Sequence, residues 1–198
     1  MRPKNSLKTL APLLKKAYFS SEEARELGVH PSVLGYYTKT GHLKRIRRGV
    51  YQATQYENPS AFRWEDLIEA VYSVKGGIIC LTSALAIYEL TDEIPRKHWI
   101  AVQHGTSIKA PKQTKIVRLR NIKLGKTTIA LEGAVVSIFD MERTIIDSFR
   151  LLSRETAIKA LKEAYAKNGK NRLDLVKLEA YAKALRFNIK PYLQSITA

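Results

Sequence analysis

Few residues in this chain have the type and spacing that catalysis requires. The four histidines, His30, His42, His98 and His104, form no HExxH and no closely spaced ligand pair. His98 and His104 flank a segment that reads as a strand and would point apart, so no metal site is expected. Cys80 is the single cysteine, which excludes an internal disulfide and a cysteine-based metal cluster. Lying among Ile78, Ile79 and Leu81, it reads as a buried small hydrophobe rather than a nucleophile. Asp140, Glu142 and Asp147 share one segment, and three neighbouring acids can hold magnesium. Here Asp140 reads as a helix cap, and Arg143 and Asp147 stand one helical turn apart, where they can pair. A PD-(D/E)xK nuclease needs an acid and a lysine on one strand, but residues 97–104 and 115–121 contain no carboxylate. The chain also lacks a G-x-S-x-G elbow, a GxGxxG and a GxxxxGK[ST]. The expectation is no catalytic residue, no metal and no cofactor.

Positive charge is the chemistry this chain does carry. Its formal net charge is +16, with a net +7 in residues 1–60, +3 in 61–150 and +6 in 151–198. Such a surface attracts polyanions, and counterion release makes that attraction fall steeply with salt. An anionic membrane fits less well, because no helix pairs a basic face with a large Trp/Phe face and no run of 18 apolar residues exists. No secretory signal is read at the N-terminus, and with the lone cysteine this places the expected location in the cytoplasm. A non-catalytic RNA- or ribosome-associated protein remains the rival reading, although no RNP1-type strand or GXXG loop is found.

The elements that could position a nucleic-acid contact lie between residues 19 and 52. Ser20 with Glu23 forms a capping box that opens a helix, and Gly28 ends it. His30-Pro31-Ser32 starts a second helix, with Pro31 suited to the first helical position. Leu34 and Tyr37 lie on its inner face, and Ser32, Tyr36 and Lys39 on the opposite face. Leu43–Ile46 and Val50–Gln52 read as two short strands, with Arg47-Arg48-Gly49 turning between them. Two helices joined by a tight turn and followed by a basic hairpin describe a winged helix-turn-helix. Its second helix would place Ser32, Tyr36 and Lys39 in the major groove, and Lys44, Arg45, Arg47 and Arg48 would supply wing and phosphate contacts.

This stretch resembles the N-terminal domain of AbiEi-type antitoxins, transcriptional regulators found beside a nucleotidyltransferase toxin in type IV toxin–antitoxin systems of abortive infection. The matching positions are Glu23, Ala24, Arg25, Gly28, Val29, Leu34, Gly41, Leu43, Arg45, Ile46, Arg48, Gly49, Val50 and Tyr51. Leu81–Ala86 (LTSALA) and Glu142–Asp147 (ERTIID) resemble that family's second domain. The resemblance implies a regulator that represses its own operon, neutralises a cognate nucleotidyltransferase toxin and has no catalysis of its own. It also implies double-stranded operator DNA with repeated half-sites, and a second domain supplying antitoxin function or self-association. The chain is short for the family, and its basic end, after residue 150, departs from the pattern.

The remaining elements frame these two regions. Leu7, Leu10, Leu14 and Ala17 predict a first helix over 6–17, and residues 53–61, with Asn58-Pro59-Ser60, read as a linker. Trp64, Leu67, Ile68 and Val71 predict a helix that stops near Gly76-Gly77, and Thr82 is expected to cap the next. Strands are predicted at 99–102, 115–121, 127–131 and 134–138. Three helices follow, using Ile145, Ile146, Phe149 and Leu152, then Ile158, Leu161 and Tyr165, then Leu178, Tyr181 and Leu185, the last stopping before Pro191. Lys159, Lys162, Lys167, Lys170, Lys177 and Lys183 face outward on the last two. The predicted class is α+β: a winged helix-turn-helix over 1–55, then a mixed α/β domain with a C-terminal helical part over 61–198.

Overall fold

The computed structural model describes residues 3–56, 63–169 and 172–197; the linker at Asn58-Pro59-Ser60 and Lys170 lie outside them. The chain forms two compact units, Met1–Lys75 with Ala130–Val136, and Gly76–Ile129 with Ser137–Ala198. The division after Lys75, rather than at residues 55 and 61, follows from the helix after the linker, which packs with the N-terminal elements.

The first unit runs α1 (Pro3–Leu14), β1 (Phe19–Ser20), α2 (Ser21–Glu26), α3 (Pro31–Lys39), β2 (Leu43–Arg47), β3 (Val50–Ala53) and α4 (Glu65–Ser73). The strands form an antiparallel sheet in the order β1-β3-β2. This order is consistent with a winged helix. Helix α1 starts and ends about three residues earlier than the spacing predicts, and Pro12, which lacks an N–H, lies in its last turn. Leu10, Leu13, Phe19, Ala24, Val29, Leu34, Tyr37, Leu43 and Tyr51 share one buried cluster. Helix α4 buries Leu67, Ile68, Ala70 and Val71, and its Tyr72 ring stacks on Tyr18 with centroids 4.5 Å apart. The Trp64 N–H donates to the Glu132 carboxylate, and the Tyr72 hydroxyl donates to the Val135 carbonyl.

The second unit contains β4 (Ile78–Ile79), α5 (Leu81–Ile87), β5 (His98–Gln103), β6 (Thr114–Leu119), α6 (Met141–Leu151), α7 (Arg154–Ala166), α8 (Leu175–Ala184) and α9 (Lys190–Thr197). Two further strands, β7 (Lys126–Leu131) and β8 (Ala134–Phe139), join at a turn where Glu132 and Gly133 both have positive φ, 44° and 79°, as a type I′ hairpin requires. The sheet order is β6-β5-β4-β8-β7, with β5/β6 and β4/β8 parallel and β4/β5 antiparallel. The four strands read from the sequence are present. Strands β1 and β4 escape a pattern search because two residues show no alternation. Helix α9 escapes because Pro191 reads as a stop, whereas it occupies the first turn. Thr82 does not cap α5: the helix begins one residue earlier at Leu81, after Cys80. Tyr165 is exposed, and α7 buries Ala157, Ala160, Leu161 and Ala164 instead.

One side-chain network organises α6. The Arg143 Nε donates to Asp147 Oδ2 at 2.7 Å, and both side chains are 1% exposed. Arg143 Nη1 also donates to the carbonyls of Asn121 (2.9 Å) and Leu124 (2.8 Å), and its guanidinium lies 4.6 Å from the Phe139 ring centroid. Arg150 closes the far side of Asp147 at 2.7 Å. Asp140 caps the helix by accepting from the Arg143 N–H. Gly125 has φ +69°, and a Cβ there would fall 2.5 Å from Arg143 Cβ, so glycine is required on both counts. Truncating Asp147 to alanine leaves a buried guanidinium without its carboxylate. This substitution is expected to cost about 3–5 kcal/mol by denaturant unfolding; a loss under about 1 kcal/mol would contradict the role given to the pair.

Candidate nucleic-acid interface

The helix pair is built by local bonds that the sequence encodes directly. The Glu23 N–H donates to Ser20 Oγ at 3.1 Å, and the Ser20 N–H donates to Glu23 Oε2 at 2.7 Å, completing the capping box. Burial works against the Glu23 charge, but hydrogen bonds from Lys16 and the Ser20 N–H outweigh it and hold the carboxyl below its ordinary range. Gly28 takes φ +77°, its N–H donates to the Arg25 carbonyl and the Val29 N–H to the Ala24 carbonyl. That pair of bonds is a Schellman motif, which ends α2 and sets the turn into α3. His30 caps α3: its Nδ1 accepts from the Ser32 N–H at 3.3 Å and lies 2.8 Å from Ser32 Oγ. Histidine is outside the usual set of cap residues, so sequence reading finds Pro31 and not this cap.

Packing then decides which face of α3 meets solvent. Leu34 is 0% and Tyr37 2% exposed, both in the cluster with Phe19 and Tyr51. Ser32, Gly35, Tyr36 and Lys39 are exposed, Tyr36 by 48%. The three residues expected to face a groove therefore lie along one open side of the helix.

The hairpin sorts its four cations differently from the sequence expectation. Arg47 belongs to β2, which leaves Arg48-Gly49 alone as the turn, with Gly49 at φ +80°. The Ser21 N–H donates to the Gly49 carbonyl at 2.9 Å and ties this turn to the start of α2. Lys44 pairs with Gln52 and Arg45 with Tyr51, but a bulge at Ile46 makes Arg47 the partner of Val50. Paired residues share a face, and the extra residue shifts the alternation by one. Arg45 therefore lies on the face of buried Tyr51, whereas Lys44 and Arg47 lie on the face of Gln52 and Val50, against α4. Lys44 there meets Glu69 at 3.0 Å. Arg47 Nε donates to the Tyr72 carbonyl at 2.6 Å and Nη1 to the Arg48 carbonyl. Burial lowers the Arg47 pKa from its ordinary value, opposed by nearby Glu22. Arg45 and Arg48 are exposed, with no ion pair among the described residues.

Elsewhere, no group of three His, Cys, Asp or Glu side chains among the described residues is placed to hold a metal ion. Cys80 is fully buried, and burial together with Asp147 pushes its thiol well up, away from the thiolate a nucleophile needs. No described helix is long and apolar enough to cross a membrane.

A family model described as "Transcriptional regulator, AbiEi antitoxin" matches residues 8–54, from within α1 to just past β3. The match bears out the resemblance read from the motif residues of this stretch. No curated protein matches the chain.

The two adjacent arginines of the hairpin should separate in a stability measurement. Arg47→Ala removes a half-buried bond to α4 and is expected to destabilise the protein by about 1–3 kcal/mol, whereas Arg48→Ala should stay within about 0.5 kcal/mol of the parent. Equal melting temperatures for the two variants would refute the division of labour.

Proposed function

We propose that this protein is a DNA-binding transcriptional regulator of the antitoxin type. In this reading α3 enters the major groove with Ser32, Tyr36 and Lys39 toward base edges, while Arg45 and Arg48 contact phosphates. Lys44 and Arg47 hold the hairpin against α4 and set where Arg45 and Arg48 lie. The observation that carries the reading is the open polar face of α3, flanked by two uncompensated arginines, inside the segment that matches the regulator family. The protein represses its own operon and counters a nucleotidyltransferase toxin, acting in the cytoplasm. Two copies on paired half-sites suit an operator read by one α3 per copy. The second unit supplies antitoxin function or self-association.

Two measurements on duplex DNA test this. Replacing Arg45 and Arg48 together by alanine should weaken binding to all sequences and reduce the slope of log K against log salt by about two, since each phosphate an arginine neutralises adds about 0.9 to it. An unchanged slope, or tighter binding to structured RNA than to duplex DNA, would remove the basis for the proposal. Ser32→Ala and Tyr36→Ala should instead change which operator variants are preferred, by about 1–3 kcal/mol at one or two base positions, with little change in the salt slope. A uniform loss across all sites would mean that these side chains do not read bases.

A further inference from the structure

A groove of about 720 Å³ lies in the second unit, bordered by the turn into α5, the 93–97 loop and the starts of β5 and β6. Three cations line it, Arg96, Lys97 and Lys115, against one carboxylate, Glu93. None of the three has an ion-pair partner among the described residues. Lys115 Nζ instead sits 3.8 Å from the ring centroid of Trp99, which also lines the groove.

Two further features coincide there. The Thr82 hydroxyl is removed from solvent and has no hydrogen-bond partner, the sole side-chain atom so found among the described residues. A hydroxyl left in that state is costly unless a partner arrives. Thr82 follows Leu81, which has φ +48°, and Thr114, also in the lining, follows Gln113 at φ +54°. Non-glycine residues in the left-handed region store strain, which concentrates at binding sites. Thr114 Oγ1 already donates to the Lys112 carbonyl, so the free donor is Thr82.

We propose that this groove binds a small molecule carrying a phosphate group, with Arg96, Lys97 and Lys115 around its oxygens and the Thr82 hydroxyl donating to one of them once a turn of its side chain brings it to the groove surface. Three cations and a hydroxyl match a dianion with three terminal oxygens, and a single carboxylate would leave the positive charge in excess. The recess between the 93–97 loop and the starts of β5 and β6 favours a small ligand over a duplex backbone. The volume lies within the range of small-molecule sites. This site is separate from the α3 surface, so neither proposal depends on the other.

Trp99 reports on the groove. With Trp64→Phe in the full-length chain it is the one remaining tryptophan. Sodium phosphate should change its fluorescence saturably, while sodium chloride at matched ionic strength should not. Arg96→Gln combined with Thr82→Val should weaken the phosphate response about tenfold at an unchanged melting temperature, and Lys162→Gln on the exposed side of α7 should leave it intact. The proposal is overturned if chloride reproduces the response, if the double variant binds phosphate as the parent does, or if Lys162→Gln weakens it equally, since the last means diffuse attraction to a cationic surface. Should the double variant prove unstable, Lys97→Gln with Thr82→Ser supplies the same comparison: a loss that follows the cation and spares the hydroxyl-retaining change supports the site, and no loss overturns it.

Discussion

Burial of one stripe of α3 constrains the surface of the whole N-terminal unit. Leu34 and Tyr37 enter the same cluster as Leu10, Phe19, Ala24 and Tyr51, so the residues half a turn away must face out. Since the helical repeat is 3.6 residues, this single contact exposes Ser32, Tyr36 and Lys39 together. The capping box at Ser20 and the Schellman turn at Gly28 then fix the angle at which α3 leaves α2. The outward face is thus a product of inward packing, which holds Ser32, Tyr36 and Lys39 in fixed positions relative to one another.

The second unit is organised by an interaction of a different kind. Arg143 and Asp147 are charged, paired and out of water, which is expensive unless every donor and acceptor is met. The loop 121–125 meets both Nη1 donors with two backbone carbonyls, and Arg150 meets the second carboxylate oxygen. Replacing such a pair by apolar residues is often neutral in stability, so its value lies in geometry. It ties the loop before β7 to the first turn of α6, with Gly125 as the point of close approach. Acids that suggest a magnesium site in the linear sequence are therefore structural. Asp140 is a cap that also accepts from Tyr181 and Lys177, and Glu142 bridges to Lys177 and the Asp174 N–H. Burial works against the Lys177 charge, but its hydrogen bonds to those two carboxylates outweigh it and hold the ammonium above the ordinary range.

Net charge proves a poor guide to where free charge lies. Lysines of the C-terminal helices that look like a solvated basic face are partly compensated, Lys159 by Asp92 at 2.7 Å and Lys167 by Glu89 at 3.9 Å, besides Lys177. In the hairpin, Lys44 is compensated by Glu69. Exposed pairs of this kind contribute little to stability. Their effect is to thin the positive field locally, and Arg45 and Arg48 on the hairpin and Arg96, Lys97 and Lys115 at the groove are among the many cations that no such pair offsets among the described residues.

Much of this was legible in the residues alone, wherever the governing interaction is local. The capping box, the Gly28 stop, Pro31 at the head of α3, the i,i+4 pairing of Arg143 with Asp147 and the short runs rich in β-branched residues of β5 to β8 each depend on spacings of a few residues. Composition likewise bounded the possibilities, by excluding an internal disulfide and a cysteine-based metal cluster. What tertiary structure alone decided involves partners distant in sequence. The bulge at Ile46 turns Arg47 toward Tyr72, 25 residues away, and that choice depends on α4 offering a carbonyl there. Thr82 lines a groove rather than capping a helix because α5 already begins at Leu81, two residues after β4, which is held between β5 and β8. Short-range bonds leave a mark in sequence because their geometry repeats with the backbone period; long-range contacts leave none, since which face a side chain turns to is set by whatever the fold brings opposite it.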